Sequence, residues 1–346
     1  MYKAIPFESC DEKTVFIDVR SESEFKKGHI CGAINLPILN DLERHEVGWI
    51  YKNASVDEAK RVGLKHGSGK IQTFLDTINS ITEELPNHKI VFYCARGGYR
   101  SRSIAMLLLG IDVPVHWLEG GYKNYRTEVL ETLNTPDKIP NFIVLNGYTG
   151  VGKTHILEAL QKLGQPVLDL EKAANHKGSH LGAIGTEGGQ QTQLFENAIY
   201  HQLKSLKHAY CFIESESKRI GKVYVPNAIF DKLQRGSYIK LEASVAFRIE
   251  GLVKDYVNTP DFKSSFENAL LRIKPYIGTS LYTEIRTLFH GEFYAELAEK
   301  LLIHHYDPIY QKSISAHDHI ATFTVTNYEE CAQEISNWIS HSTLSQ

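Results

Sequence analysis

Residues 142–163 have the sequence FIVLNGYTGVGKTHILEALQKL, in which an apolar run leads through a glycine-rich loop into an amphipathic segment. The run at 142–145 predicts a strand, and the apolar residues at 156, 157, 160 and 163 share one face of a predicted helix that Gly164 caps. The loop at 147–154 matches the pattern G-x-x-x-x-G-K-T in the strand–loop–helix context that a phosphate-binding loop requires. The sequence therefore predicts a P-loop NTPase-like α/β domain that begins at residue 142.

The phosphate loop predicts a site for a diphosphate group. Backbone N–H groups from Gly150 to Thr154 can surround a β-phosphate, while Lys153 neutralises its charge. The hydroxyl of Thr154 can complete the coordination of Mg²⁺ where this ion is bound. The predicted diphosphate-binding residues are Gly147, Gly150, Gly152, Lys153 and Thr154. They leave open what is attached to the diphosphate, so a nucleotide and a prenyl diphosphate are both compatible with the loop.

Two acidic residues that follow apolar runs are candidates to approach the phosphate loop. Asp169 follows Val167-Leu168, and Glu214 follows Phe212-Ile213. Either carboxylate could contact a metal ion, and a helix-capping or surface role fits each of them equally well. No set of metal ligands is therefore assigned, and no tightly bound cofactor is expected.

The first half of the chain alternates strand and helix patterns. Apolar runs at 15–19, 90–93 and 115–118 predict strands, and Ser21 to Glu24 form a predicted capping box at a helix start. This alternation predicts a mostly parallel sheet. The stretch 134–141 carries two prolines and no apolar periodicity, which indicates a linker. We therefore predict a first domain at 1–133, a linker at 134–141 and a P-loop domain at 142–346.

The last third of the chain favours helices. Beyond about residue 240 the apolar pattern has a helical period, most clearly at 262–273 and 284–303. We interpret these segments as a helical C-terminal region of the P-loop domain.

A second loop carries a predicted nucleophile. Cys94 follows the apolar run at 90–93, and the loop to Ser101 precedes a predicted helix. Backbone N–H groups and the helix dipole can converge there on an anion and favour a thiolate. Arg96 and Arg100 add positive charge, and Gly97 and Gly98 allow a tight turn. Cys94 is therefore the predicted catalytic residue, in a loop that binds an anion.

Composition narrows the class of protein. The chain has 346 residues, a formal net charge of -3 and five scattered cysteines, Cys10, Cys31, Cys94, Cys211 and Cys331. The cysteines lack the close pairs of a zinc site or a disulfide framework, which favours a reducing cytoplasm. No apolar stretch has the length of a membrane span. We expect a soluble, monomeric, cytoplasmic protein, in which any RNA binding depends on a local basic patch.

The residues around Cys94 resemble rhodanese domains. The opening signature of that family is matched by Asp18-Val19-Arg20, Glu24-Phe25 and Gly28-His29-Ile30-Cys31-Gly32-Ala33-Ile34-Asn35. The resemblance implies cysteine persulfide chemistry at Cys94, and Asp18, Arg20 and His29 are expected to have structural roles. The spacing departs from most sulfurtransferases, because five residues separate Cys94 from Arg100, as in Cys-dependent phosphatases. Tyr93 stands where a tyrosine phosphatase usually has His, which weakens that alternative.

The fusion of the two modules resembles the bacterial tRNA 2-selenouridine synthases. Further matching segments are 43–52, 118–122, 169–179 and 214–221. The resemblance implies that wobble 2-thiouridine of tRNA becomes 2-selenouridine, by S-geranylation with geranyl diphosphate and then selenation with selenophosphate. By this resemblance Cys94 carries or delivers selenium, and the phosphate loop holds the diphosphate. Alternatives are a Cys-dependent phosphatase or sulfurtransferase coupled to a P-loop kinase or NTPase, and a regulatory binding protein with an NTP-switched P-loop.

Basic residues beside the family-like segments are candidate tRNA contacts. They are Lys172, His176, Lys177 and His180, followed by Lys218, Arg219 and Lys222. Among them Lys177, Lys218 and Arg219 are the predicted contacts to RNA phosphates. Ordinary solvated surface charge is the alternative explanation for each residue.

Overall fold

The computed structural model describes residues 4–178, 189–206, 208–260 and 262–342. The chain divides into two compact units, Met1–Glu131 and Thr132–Gln346. The division falls inside a helix, Gly121–Asn134. In the segment predicted as a linker, Pro136–Lys138 form a 3₁₀ turn and Ile139 is buried.

The first unit contains a four-stranded, all-parallel sheet with the order β2-β1-β3-β4. Its strands are β1 Thr14–Asp18, β2 Ile34–Asn35, β3 Lys89–Tyr93 and β4 His116–Trp117. Its helices are α1 Glu22–Lys27, α2 Asp41–Asn53, α3 Val56–Ser68, α4 Ile71–Glu84, α5 Tyr99–Leu109 and α6 Gly121–Asn134. The predicted parallel sheet is confirmed.

Apolar residues of the central strands form the core of this unit with those of α4 and α5. Ile17 of β1 lies opposite Phe92 of β3, and both side chains are fully buried. Phe74 of α4 and Leu108 of α5 join the same cluster. The predicted capping box starts α1, where Glu24 accepts a bond from the backbone N–H of Ser21. This packing holds the carboxyl end of β3, where Cys94 follows, in a rigid frame.

The second unit contains a five-stranded parallel sheet with the order β11-β10-β5-β7-β6. Its strands are β5 Asn141–Asn146, β6 Val167–Leu168, β7 Tyr210–Glu214, β10 Ser237–Glu242 and β11 His319–Thr324, and β8 Arg219–Ile220 and β9 Val223–Tyr224 form a separate antiparallel pair. The helices around this sheet are α7 Lys153–Lys162, α8 Leu170–Ala174, α9 Thr192–Ser205, α10 Asn227–Gln234 and α15 Tyr328–Ser340. The central position of β5 places the phosphate loop at the middle of the sheet.

The helical region is an insertion between β10 and β11. It consists of α11 Val245–Val257, α12 Phe262–His290, α13 Tyr294–Leu301, the π-helical turn Leu302–Tyr306 and α14 Asp307–Ile314. The helix predicted at 284–303 is wrong as one element, because α12 ends at His290 and Glu292 has a φ of 60°. The chain then returns to the sheet as β11. Among the described residues, no helix combines the length and the apolar character that a membrane crossing needs.

Candidate active sites

Cys94 lies directly after β3, at the entrance of the loop that leads into α5. Its side chain is buried, and the hydroxyl of Ser101 donates a hydrogen bond to Cys94 Sγ at 3.2 Å. Burial alone raises the pKa of this thiol. The hydroxyl and N–H of Ser101, the N–H of Arg96 and the charge of Arg100 outweigh it and lower the pKa of Cys94 below its ordinary value. The loop therefore stabilises a thiolate, as its sequence predicted.

A glycine turn after β4 packs against the cysteine loop. The N–H of Tyr122 donates to the carbonyl of Cys94 at 2.9 Å, and the N–H of Lys123 donates to that of Ala95 at 3.0 Å. Gly97 has a φ of +63°, and a Cβ there would lie 2.5 Å from the Leu118 carbonyl oxygen. Open space surrounds Gly98 instead. The family-like segment at 118–122 thus has a physical task, which is to fix the backbone of the cysteine loop.

Arg100 is not a free cation of the loop. Its guanidinium binds both oxygens of Glu24, with Nη1–Oε2 at 2.6 Å and Nη2–Oε1 at 3.2 Å. Burial raises the pKa of Glu24, but the pair with Arg100 outweighs it and lowers that pKa. Arg96 is exposed at the loop surface. From the sequence, both arginines were predicted to add positive charge beside a bound anion. The carboxylate of Glu24, which orients Arg100, was not predicted.

The remaining residues of the rhodanese-like signature contact the protein itself. Arg20 Nη2 binds Asp18 at 2.5 Å and the carbonyl of Gly28 at 2.7 Å, and its guanidinium lies 3.9 Å from the Tyr122 ring centroid. The imidazole of His29 stacks on the ring of Phe25, with 3.7 Å between centroids. Asp18, Arg20 and His29 thus make contacts within the first unit that fit structural roles.

The phosphate loop joins β5 to α7, which begins at Lys153. Gly152 caps this helix with a φ of +89°, and a Cβ there would lie 2.1 Å from the Tyr328 ring. Lys153 Nζ donates to the carbonyl of Gly147 at 3.2 Å, so its ammonium group lies over the loop. The predicted diphosphate-binding residues are therefore gathered in one strand–loop–helix turn at the carboxyl end of the sheet.

Three carboxylates meet beside this loop. Oxygen atoms of Glu171, Glu214 and Glu216 all lie within 4.8 Å of one another. The hydroxyl of Thr154 donates to Glu171 Oε2 at 3.3 Å. Asp169 is not part of the cluster, because its carboxylate caps α8 by accepting from the N–H of Lys172 at 2.8 Å. Of the two carboxylates predicted from sequence, only Glu214 reaches the phosphate loop.

The carboxylate cluster has the chemistry of a site for a hard cation. Burial, and then the charge of Glu171, raise the pKa of Glu214 to about 8. The pKa values of Glu171 and Glu216 are also raised, chiefly by burial and then by a neighbouring carboxylate. Glu214 Oε1 is buried without a hydrogen-bond partner among the described residues. The sequence assigned no metal ligands, whereas these oxygens and Thr154 Oγ1 match the ligands that Mg²⁺ prefers.

Comparison of the sequence with protein-family models identifies the family. Residues 140–344 match the family model described as the tRNA 2-selenouridine synthase AAA domain, and residues 8–128 match the rhodanese-like domain. The chain belongs to the tRNA 2-selenouridine synthase family.

Relatives of that name extend over both units. The protein of Shewanella woodyi is 30% identical over 94% of this chain and 93% of its own length. That of Shewanella denitrificans is 31% identical over 86% of this chain and 88% of its own length. That of Nitrosomonas europaea is 34% identical over 71% of this chain, and the match spans 64% of its own length.

In this member of the synthase family, two of the predicted RNA contacts line a wide cleft next to the carboxylate cluster. The cleft has about 2290 Å³ of space between atoms, part of it open to solvent, and its wall includes Glu216, Lys218 and Arg219. Other lining residues are His176, Lys222, Arg272, Tyr306, Tyr310 and His317. Lys177 lies elsewhere, with Nζ 3.4 Å from the carbonyl oxygen of Asp255. His180 lies outside the described residues.

Sequence reasoning missed Glu171 and Glu216 as members of the site. Both were present in segments that resemble the family, at 169–179 and 214–221. Gly178 brings these segments together, because a Cβ there would lie 2.2 Å from Glu171 Oε1 and 2.8 Å from Glu216 Oε1. The available signal was the pair of acidic residues after β6 and after β7, the two strands on one side of the phosphate loop.

Proposed function

We propose that the protein converts wobble 2-thiouridine of tRNA into 2-selenouridine, first by S-geranylation with geranyl diphosphate and then by selenation with selenophosphate. The observation that carries this proposal is the presence of two different anion loops in a chain of this family. One loop follows β3 and begins with Cys94, a buried cysteine whose pKa is lowered. The other follows β5 and carries the phosphate-binding motif at 147–154. Each loop suits one of the two reactions.

Geranylation makes the sulfur of the base a leaving group. The sulfur attacks C1 of geranyl diphosphate, the C1–O bond breaks, the diphosphate leaves with the electron pair, and the base loses its N3 proton. The N–H groups of the loop and Lys153 stabilise the charge that develops on the departing diphosphate. A Mg²⁺ ion held by the three carboxylates and Thr154 would neutralise part of the same charge. Lys153 and the cluster therefore serve the first reaction.

Selenation replaces the geranylated sulfur. In the proposed step the Cys94 thiolate attacks the phosphorus of selenophosphate, so that an S–P bond forms and hydrogen selenide ion leaves. This ion attacks C2 of the base, geranyl thiolate departs and takes a proton from water, and a second water hydrolyses the phosphocysteine to phosphate. The five-residue spacing between Cys94 and Arg100 suits the phosphate group of this intermediate. Cys94 thereby delivers the selenium.

The test is a mass analysis of nucleosides from 2-thiouridine tRNA incubated with the purified protein. Geranyl diphosphate alone should give S-geranyl-2-thiouridine, and the addition of selenophosphate should give 2-selenouridine. Omission of geranyl diphosphate should leave the 2-thiouridine unchanged. Selenouridine formed at the full rate without geranyl diphosphate would contradict the proposed order.

The same loop spacing favours one competing function, a Cys-dependent phosphatase coupled to a P-loop kinase. That function requires release of phosphate from a phosphorylated substrate and turnover of ATP. Both are measured by incubating the protein with p-nitrophenyl phosphate and with ATP. Turnover of both by the protein, without any change in the tRNA nucleosides, would favour this alternative.

A further inference from the structure

An apolar cavity lies against the phosphate loop of the second unit, within the helical insertion. The space between its lining atoms is about 560 Å³, and part of this space is open to solvent at the mouth. Its lining comes from the loop and from α11, α12, α13 and the π-helical turn, and consists of Thr149, Leu252, Val253, Tyr256, Val257, Phe262, Phe266, Tyr294, Leu297, Ala298, Leu301, Leu302 and Tyr306. The lining contains no charged side chain.

One end of the cavity adjoins the diphosphate site. Thr149 belongs to the phosphate loop, and a Cβ on Gly150 would lie 3.0 Å from Cγ of Leu252 in the cavity wall. Tyr306 lines both the cavity and the cleft that contains Glu216. A group attached to a diphosphate in the loop can therefore enter the cavity directly.

The aromatic rings of Phe262 and Tyr294 form part of the cavity lining. Phe262 and Tyr294 are edge-on with 5.4 Å between ring centroids, and both also line a surface depression with Lys263 and Glu292. Phe262 and Tyr294 thus lie where the apolar cavity borders a depression that contains charged side chains.

The lining identifies the chemistry of the occupant. Ribose and a base carry several polar atoms that would lose hydrogen bonds to water among these side chains. A hydrocarbon chain loses none, and each buried methylene group strengthens binding by a factor of about four. The wall therefore discriminates between the two kinds of diphosphate that the loop alone leaves open.

We propose that this cavity binds the apolar chain of the diphosphate substrate and that Phe262 and Tyr294 limit its length. This inference rests on the proposed function for the identity of the reaction, but binding tests it separately. The test measures the affinity of the protein for inorganic diphosphate, geranyl diphosphate and ATP, each with Mg²⁺ and without RNA. Geranyl diphosphate should bind at least about 100-fold more tightly than inorganic diphosphate. Equal affinities, or preference for ATP, would overturn the proposal.

Substitution of the wall gives the first matched pair of variants. Ala298→Trp fills the cavity, whereas Ala295→Trp changes an exposed alanine of the same helix that does not line it. Ala298→Trp should weaken geranyl diphosphate about 100-fold and leave inorganic diphosphate unchanged, which also shows that the loop is folded. Ala295→Trp should change neither affinity. Unchanged geranyl diphosphate binding in Ala298→Trp would place the chain elsewhere.

Substitution of Tyr294 tests the proposed limit on length. Tyr294→Ala should raise the ratio of farnesyl to geranyl diphosphate affinity about tenfold, since the longer chain gains the space of the ring. Phe293→Ala removes an exposed neighbouring ring and should leave the ratio unchanged. An unchanged ratio in Tyr294→Ala would overturn the assigned limit. If wild-type protein binds geranyl diphosphate as expected but never geranylates RNA, the cavity stands and the proposed reaction fails.

Discussion

The two anion loops solve the same electrostatic problem in opposite ways. Both follow a parallel strand and precede a helix, so each directs N–H groups at an anion. The cysteine loop carries its own anion, and neutral donors such as the Ser101 hydroxyl stabilise it while Glu24 engages Arg100. The phosphate loop faces three carboxylates whose pKa values are raised, chiefly by burial and then by the charge of a neighbouring carboxylate. The first loop is therefore complete without a further ion, whereas the second gains most from a bound cation.

The strongest expected effect comes from the cysteine loop. Cys94→Ala should lower selenation at least roughly 10⁴-fold and leave geranylation intact, because the variant lacks the nucleophile and keeps the phosphate loop. Nucleoside mass analysis measures both steps. Ser101→Ala is the milder control, since loss of its hydrogen bond should raise the pKa of Cys94 and shift the pH profile of selenation upward. Normal selenation by Cys94→Ala would remove this residue from the reaction.

The matching change in the other loop is Lys153→Ala. It should lower geranylation roughly 100- to 1,000-fold, the usual cost of removing one preorganised charge from a transition state. Selenation of tRNA that is already geranylated should fall much less. An equal fall in both steps, in a variant that remains folded and binds tRNA, would show that the two reactions are not divided between the two loops.

The carboxylate cluster should make Mg²⁺ binding depend on pH. Carboxyls with raised pKa values keep protons near neutrality, and bound Mg²⁺ must displace them. Affinity should therefore rise about tenfold per pH unit for each proton displaced, up to about pH 8 for Glu214 and about pH 9 for Glu171. Without Mg²⁺, the stability of the folded state should change with pH in the opposite direction. The folded state binds more protons than the unfolded state, so its stability should fall as pH rises above the ordinary carboxyl pKa.

Glu216→Gln checks this prediction by calorimetry and by unfolding at several pH values. It should weaken Mg²⁺ binding and flatten both pH dependences. Asp169→Asn is the matched control for Mg²⁺ affinity, because Asp169 caps α8 outside the cluster. Identical pH dependences in Glu216→Gln and wild type would show that the cluster does not hold the ion.

The smallest expected effect concerns RNA. Replacing Lys218 and Arg219 together by Ala should reduce the slope of log affinity against log salt by up to about two, if both neutralise RNA phosphates. Lys177→Ala should leave the slope unchanged, because Lys177 does not line the cleft. Filter binding of tRNA at several salt concentrations measures the slopes. A change with Lys177→Ala alone would move the RNA surface away from the cleft.

The sequence predicted features that depend on residues close together in the chain. The phosphate loop, the capping box of α1 and the cysteine loop each lie within about ten residues, so local pattern was sufficient. Glu24 and Arg100 are 76 positions apart, and their pairing depends on how β1 and β3 are aligned. The cluster of Glu171 and Glu216 likewise requires β6 and β7 to be neighbours. Residues from distant segments had to be placed by the fold.

Two elements escaped prediction for a different reason. The strand β11 lies at the sheet edge with half-buried and exposed residues in alternation, so it lacks a strong apolar run. The helix predicted at 284–303 continued the apolar pattern through Gly291, Glu292 and Phe293, where a positive φ at Glu292 ends the helical backbone. In both places the local pattern of apolar residues did not predict the secondary structure.

The position of the helical insertion has a consequence for how substrate preference can change. Its ends are fixed by β10 and β11, which are paired from Tyr238 to Glu242, and a crossover between parallel strands needs only about a dozen residues. Residues 245–314 therefore contain far more chain than the connection requires. Insertions, deletions or exchanges in that surplus would reshape the cavity without altering the sheet, as long as they keep Arg248, whose Nε donates to the carbonyl of Thr149 in the phosphate loop at 2.8 Å. Under the proposed function, the preference for the tail can thus change while the sheet that carries the phosphate loop is kept.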